Sequence, residues 1–167
     1  MAAVALAAEV AAAERVEVGN EMRTKEFLSK LEHDRIVQDI REAESQTYGQ
    51  IRVHIQRGKL NADPLIAAQK KFHRLGMHKT RERNAVLIFV APRARKYAVV
   101  GDAGVHQKCG EVYWQRLVDS MREHFQSENF TQALLEAIEQ TGELLARHFP
   151  REERGGRDEL PNEIIER

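Results

Sequence analysis

The sequence has few of the residues that would assign it to a specialised class of protein. Its 167 residues include one cysteine, Cys109, which excludes an intramolecular disulfide and a zinc site built from several cysteines. No apolar run reaches the roughly 18 residues that a membrane-spanning helix needs. Lys and Arg number 26, as do Asp and Glu, so the zero net charge argues against a dedicated nucleic-acid-binding protein. The length predicts one ordinary globular domain with short extensions.

The motifs of several enzyme classes are also missing from the sequence. It has no glycine-rich nucleotide loop, no Gly-x-Ser-x-Gly nucleophile turn, no His-Glu-x-x-His zinc motif and no calcium loop of the EF-hand type. Residues 1–23 form an Ala-rich extension, in which Glu9 interrupts the apolar stretch and no basic segment precedes it. This pattern predicts no secretory signal, so a cytoplasmic location is expected.

Hydrophobic periodicity predicts alternating helices and strands. Helical spacing covers residues 27–43, whereas strict alternation over 51–56 predicts a strand with one buried face. Asp63 and Pro64 predict the start of a helix that stops at Gly76. The seven apolar residues 85–91 predict a strand buried on both faces, and a strand over 96–100, a loop over 101–104 with special backbone angles and two amphipathic helices follow.

This order predicts an α/β fold, namely a three-layer α/β/α sandwich with a small mixed central sheet. Its predicted boundaries are 1–23 for the N-terminal extension, 24–150 for the domain and 151–167 for a flexible charged C-terminal tail. The tail has few apolar residues, so truncation after Pro150 is predicted to leave the fold intact.

Several separated motifs in residues 45–150 resemble the TPM domain family, in its bacterial branch. They are Phe72-His73-Arg74-Leu75-Gly76-Met77, the stretch from Arg83-Asn84 to Pro92-Arg93, Val99-Val100-Gly101-Asp102-Ala103-Gly104-Val105-His106, and Leu145 to Pro150. The resemblance implies a three-layer α/β fold with a mixed sheet, divalent-metal binding in some members and the acid phosphatase activity reported for the plant branch. The chain departs from the family pattern at Gln50, where an acidic residue is usual, and at Ala85, where glycine is usual.

The segment 69–96 carries nine Lys and Arg residues and one acid, so it is strongly basic in a chain of zero net charge. Arginine binds phosphate through two parallel hydrogen bonds, and four arginines flank the two ends of one predicted strand. The candidate anion-binding residues are therefore Arg81, Arg83, Arg93 and Arg95. The alternative is a solvated basic face that pairs with acidic helices.

The loop after the third predicted strand carries a carboxylate and an imidazole, Asp102 and His106. Ligands of open α/β sheets gather at the carboxyl ends of strands, so this loop is predicted to face solvent near one of the arginines. Asp102, with Asn84 from the neighbouring strand, is a candidate site for Ca²⁺ or Mg²⁺, and His106 is a candidate anion-binding group or general acid. The alternatives are an Asp102 that caps a helix and a structural His106.

Two functions remain open at this point. The first is a binding module that uses its charged loop face to hold an ion, a small anion or a protein partner. The second, implied by the family resemblance, is a metal-assisted acid phosphatase that hydrolyses phosphate monoesters. The missing nucleophile motif and the lack of clustered carboxylates favour the binding module.

Overall fold

Four helices and four strands make up the part of the chain described by the computed structural model, residues 33–151 and 164–166. In chain order they are α1 (His33–Ser45), β1 (Gln50–Ile55), α2 (Pro64–Arg74), β2 (Ala85–Ala91), β3 (Lys96–Gly101), α3 (Ala103–Gln126), α4 (Phe130–His148) and β4 (Ile164–Glu166). The predicted start of the first helix at Phe27 and the predicted domain start at residue 24 lie outside the described residues.

The strands form one mixed sheet in the order β3-β2-β1-β4. β1 runs parallel to β2 and to β4, whereas β3 is antiparallel to β2. Because β1 and β2 are parallel neighbours, the chain between them must cross over one face of the sheet, and α2 makes this crossover. The prediction of a small mixed sheet is confirmed.

Helices cover both faces of this sheet, which confirms the three-layer fold. On one face α2 packs on β2 and β3 around Phe72, Leu87 and Phe89. On the other face α1, α3 and α4 enclose a larger core that includes Trp114 and Ile138. Alternate residues of β2 belong to the two cores, and for this reason its seven residues are all apolar and buried, as predicted.

The ends of α2 follow the predicted local chemistry. The Asp63 carboxylate accepts hydrogen bonds from the backbone N–H groups of Leu65 and Ile66, at 2.8 and 3.3 Å. After the helix, Gly76 adopts a φ of +70°, a left-handed conformation that costs glycine little. The predicted helix start and stop are both confirmed.

The prediction that the first strand buries one face is wrong, because all six residues of β1 are buried. The polar residues Gln50, Arg52 and His54 alternate with the apolar ones, and the His54 ring stacks on Phe89 with the centroids 5.5 Å apart. Ile51, Val53 and Ile55 belong to the larger core, and His54 contacts Phe89 of the smaller core, so both faces of β1 are covered by the layers packed on the sheet.

The structure also differs from the predictions for the C-terminal tail and for the loop over 101–104. Residues 164–166 of the predicted flexible tail form β4, which pairs with β1, and Ile164 packs against the larger core. The expected loop with special angles is short, since α3 begins at Ala103 and neither Gly101 nor Gly104 has a positive φ. The positive φ values in this region belong to Arg83 (52°) and to Gly110 (72°), where α3 is kinked.

Candidate functional site

The predicted site residues around Asp102 meet at one edge of the sheet, where β1 and β2 begin and β3 ends. We call this the amino-terminal edge. The antiparallel pairing of β2 with β3 brings the two segments together, since the Asp102 N–H donates to the Ala85 carbonyl at 2.9 Å. Asn84 immediately precedes β2, so it lies at this same edge.

Arg83 and Asp102 form a bidentate ion pair at the amino-terminal edge. The Arg83 Nε donates to Asp102 Oδ2 at 2.7 Å, and its Nη2 donates to Asp102 Oδ1 at 2.8 Å. The Asp102 side chain has 0% exposure, whereas that of Arg83 is 34% exposed. Hydrogen bonding to the Asp102 carboxylate raises the pKa of Arg83 above its ordinary value. The expectation of an arginine from the 81–95 stretch next to Asp102 is confirmed.

Asp102 also begins α3. Its Oδ1 accepts a hydrogen bond from the Ala103 N–H at 2.7 Å, and its carbonyl accepts bonds from Val105 and His106 at 3.0 Å. The interpretation of Asp102 as a helix cap is therefore confirmed, and the expectation that its carboxylate faces solvent is wrong. Burying a carboxylate of this kind costs little free energy, because both of its oxygens accept hydrogen bonds from the guanidinium or from the backbone at the start of the helix.

Two glycines allow the close packing of this edge. A Cβ on Gly104 would lie 2.2 Å from the Glu82 carbonyl oxygen, so α3 can approach residues 82–83 only with glycine at this place. A Cβ on Gly101 would lie 2.3 Å from the Trp114 ring. The first turn of α3 is thus pressed against the segment that carries Arg83, and this contact positions the ion pair.

Asn84 is a buried polar residue at the same edge. Its backbone N–H donates to Thr80 Oγ1 at 3.2 Å, and its carbonyl accepts from the Gln50 N–H at 3.2 Å. Its side-chain Oδ1 is buried and has no hydrogen-bond partner among the described residues. Gln50 carries an amide and not a carboxylate, so β1 adds no acid next to Asn84.

His106 is half-buried and takes part in a contact within α3. Its Nδ1 accepts a hydrogen bond from the Trp114 Nε1 at 3.3 Å, as the interpretation of a structural histidine predicts. Cys109 lies one turn further along and is also half-buried. Burial raises the pKa of Cys109 to about 11, so the thiol is protonated at neutral pH and is a poor nucleophile.

The four candidate arginines do not form one cluster. Arg81 and Arg83 precede β2 at the amino-terminal edge, whereas Arg93 and Arg95 follow β2 at the opposite edge. A strand of seven residues separates the two pairs by roughly 20 Å. The carboxyl ends of the parallel strands lie at the edge of Arg93 and Arg95, so the rule that places ligands at carboxyl ends does not point to Asp102.

The residues at the amino-terminal edge do not fit a divalent-metal site. Both Asp102 oxygens already accept hydrogen bonds from a cationic guanidinium, and one also accepts from a backbone N–H. Ca²⁺ takes six to eight oxygen ligands, several of them carboxylates. Among the described residues, no three His, Cys, Asp or Glu side chains come together in a group that could hold a metal ion.

One surface feature was not predicted from the sequence. A groove between α1 and α4 encloses about 400 Å³, and carboxylates line it on both sides. A possible signal was the spacing of acids by three and four residues along α4, which places them on one helix face. These acids are Glu136, Glu139 and Glu143.

Comparisons with known proteins agree on one family. The family model described as the TPM domain matches residues 22–144. The chain is similar to the BA42 protein of the psychrophilic bacterium Bizionia argentinensis, whose NMR structure is 31% identical in sequence, with a TM-score of 0.74. That match covers 92% of this chain and 99% of BA42.

A second solved structure has a more distant likeness. It is the N-terminal domain of cg2496 from Corynebacterium glutamicum, at 13% identity and a TM-score of 0.49, with 95% of each chain covered. No protein with a curated description matches the chain. None of the helices in residues 33–151 is long and apolar enough to cross a membrane.

Proposed function

Because this chain belongs to the TPM domain family, whose model matches residues 22–144, we propose that it acts as a binding module and that its partner is a protein. The observation that carries this proposal is the state of Asp102. Its carboxylate is fully buried, caps α3 and forms a bidentate ion pair with Arg83. A carboxylate held in this way stabilises the fold, so a protein partner would be bound by other residues, on the exposed surface of the domain.

The alternative is a metal-assisted acid phosphatase, which the family resemblance implies. Phosphoryl transfer needs a nucleophile or an activated water next to cationic groups that hold the phosphate. Asp102 and His106 already have partners within the fold, and the arginines are divided between two edges of the sheet. The geometry of the described residues therefore supports the binding module better than the hydrolase.

Turnover of a chromogenic phosphate monoester by the purified full-length chain tests this choice. We expect no hydrolysis above the blank at acidic or neutral pH, with or without added Mg²⁺ or Ca²⁺. The matched variants are Asp102→Asn, at the ion pair, and His106→Gln, whose half-buried side chain can be changed with less risk to folding. Hydrolysis that depends on the metal and is lost in either folded variant would replace the binding module with the phosphatase.

A further inference from the structure

The groove between α1 and α4 is lined mainly by acidic and apolar residues. The buried lining residues Leu135, Ile138 and Gly142 form an apolar floor, and the two helices approach closely there, since a Cβ on Gly142 would lie 2.7 Å from the Ala43 Cβ. Five carboxylates line its walls, while Arg35 is the single Lys or Arg among the lining residues. These acids are Asp39 and Glu42 on α1 and Glu136, Glu139 and Glu143 on α4.

The carboxylates of the groove differ in how far they are engaged within the fold. Glu136 accepts hydrogen bonds from Ser120 and Gln140 and contacts His124, so it ties α4 to α3. Glu139 and Glu143 are exposed on the outer side of α4, four residues apart. Residues at this spacing lie on the same side of a helix about 6 Å apart, so the two carboxylates present paired negative charges to a docked segment.

A complementary surface exists on the opposite layer of the same fold. α2 contains no acidic residue, and Ile66, Lys70 and Arg74 follow one another at spacings of four on its exposed side. Ile66 is 49% exposed, and it is one of two large apolar side chains exposed in the described part of the chain. The helix thus presents an apolar anchor followed by two cations.

We propose that α2 of one copy docks in the α1–α4 groove of a second copy. Lys70 and Arg74 are separated by the same four residues as Glu139 and Glu143, so both ion pairs can form at once along two helices laid side by side. Ile66 then packs on the apolar floor near Ala43 and Gly142, as in other grooves that bind a helix. This proposal rests on the proposed binding function and names its partner.

The geometry also determines the kind of assembly. α2 and the α1–α4 groove lie on opposite faces of the sheet, so each copy keeps one unused surface after docking. Such a head-to-tail contact is heterologous, and it extends into an open chain unless its rotation closes a ring. A zero net charge favours this association, because no overall repulsion keeps the copies apart.

The expected affinity is low and depends on salt. α2 has 11 residues and is roughly 16 Å long, so the contact is smaller than a standard stable interface. Much of the attraction comes from exposed charges, which about 1 M salt screens over roughly 3 Å. The association is therefore strongest in concentrated protein at low ionic strength.

Sedimentation equilibrium of the full-length chain tests the proposal. We expect the weight-average mass to rise with protein concentration at low ionic strength and to return to that of one chain in about 1 M salt. A mass that stays at one chain across the whole concentration range at low ionic strength would overturn the proposal. So would an association that high salt leaves unchanged.

Two neutralising variants locate the contact. Lys70→Gln/Arg74→Gln removes the cations of α2, and Glu139→Gln/Glu143→Gln removes the carboxylates of the groove. Each variant alone is expected to associate about tenfold more weakly or not at all, because one of its two surfaces is lost. The controls make the same changes in net charge at other exposed positions, in the loop between β1 and α2 and in α3. They are Lys59→Gln/Lys108→Gln and Glu111→Gln/Glu123→Gln.

Mixing the two neutralised variants gives the sharpest result. Each retains one working surface, so the mixture should form a one-to-one dimer that grows no further, and Ile66→Ala in the copy with intact α2 should weaken it. Association of either neutralised variant alone at the wild-type strength would overturn the proposed contact. A wild-type chain that stays monomeric while its groove binds a Lys- and Arg-rich peptide would overturn the second copy as partner yet leave the binding module standing.

Discussion

Replacing Arg83 with Gln removes the guanidinium that pairs with the Asp102 carboxylate but keeps a polar side chain at the same backbone position. Arg83 has a φ of 52°, and this left-handed conformation strains the backbone equally with glutamine or arginine. The substitution therefore removes the ion pair without changing the backbone strain. After the change, the buried Asp102 carboxylate keeps the Ala103 N–H as a donor but loses the two hydrogen bonds from Arg83.

The magnitude follows from the unequal burial of the two partners. Removing one member of a fully buried ion pair costs about 3–5 kcal/mol, because the other charge is left uncompensated. Asp102 is fully buried, but Arg83 is 34% exposed, so water can reach the vacated side and reduce this cost. We therefore expect Arg83→Gln to lower the free energy of unfolding by about 2–3 kcal/mol, and Tm by roughly 4–12 °C for a chain of this size.

Urea unfolding followed by circular dichroism measures this loss, with Arg81→Gln as the matched control. Arg81 is exposed and lies two residues away, so its replacement should change stability by no more than about 0.5 kcal/mol. A loss below about 1 kcal/mol for Arg83→Gln would refute the account of Asp102 as a buried charge that depends on Arg83. A rise of the wild-type Tm on addition of Ca²⁺ that Asp102→Asn abolishes would also refute it, since the carboxylate would then be available to a metal.

Three further predictions concern the core, the last strand and one titrating group. Phe89→Ala, in the middle of β2, should lower the free energy of unfolding in denaturant melts by about 3–5 kcal/mol, and a change below about 1 kcal/mol would contradict its place in the core. Truncation after Pro150 removes β4 and should lower stability by about 1–3 kcal/mol while unfolding stays cooperative; an unchanged melt would contradict the contribution of β4 to the sheet. Burial raises the pKa of Glu136, but hydrogen bonds from Ser120 and His124 outweigh it, so the net pKa lies below that of an ordinary glutamate. The wild-type chain should therefore be more stable than Glu136→Gln above the pKa of an ordinary glutamate, and the difference should vanish as the pH falls through the lowered pKa; a gap that persists at the acid end would contradict it.

The elements that could be predicted from the sequence are those whose signals are local. The apolar run of β2 and the Asp63-Pro64 start of α2 depend on residues next to one another, and both predictions were confirmed. The burial of β1 is different. Its alternating pattern describes a strand with one face in solvent, whereas the second layer of helix, which packs around Phe89, buries the face of β1 that carries His54 as well.

The residues of the candidate site were predicted, and the structural roles of Asp102 and His106 were predicted only as alternatives to ligand binding. Asp102 and Arg83 are 19 residues apart, and their pairing depends on the antiparallel register of β2 and β3 together with the close approach of Gly104 to residues 82–83. A single sequence contains neither the register nor the positive φ of Arg83. From the sequence the same carboxylate can be either an exposed ligand or a helix cap, and in the fold it is the buried cap.

The distribution of charge shows how topology turns a pattern along the chain into a property of the surface. The basic segment 69–96 includes much of α2, which is the crossover between two parallel strands and must lie on one face of the sheet. The acidic residues of α1 and α4 lie on the other face, where those helices pack against each other. A chain with no net charge thereby places a basic helix, α2, and an acidic groove on opposite faces of its sheet. α2 contains no acidic residue, and the groove is lined by five carboxylates and one arginine, so contact between copies is an arrangement in which the two can neutralise each other.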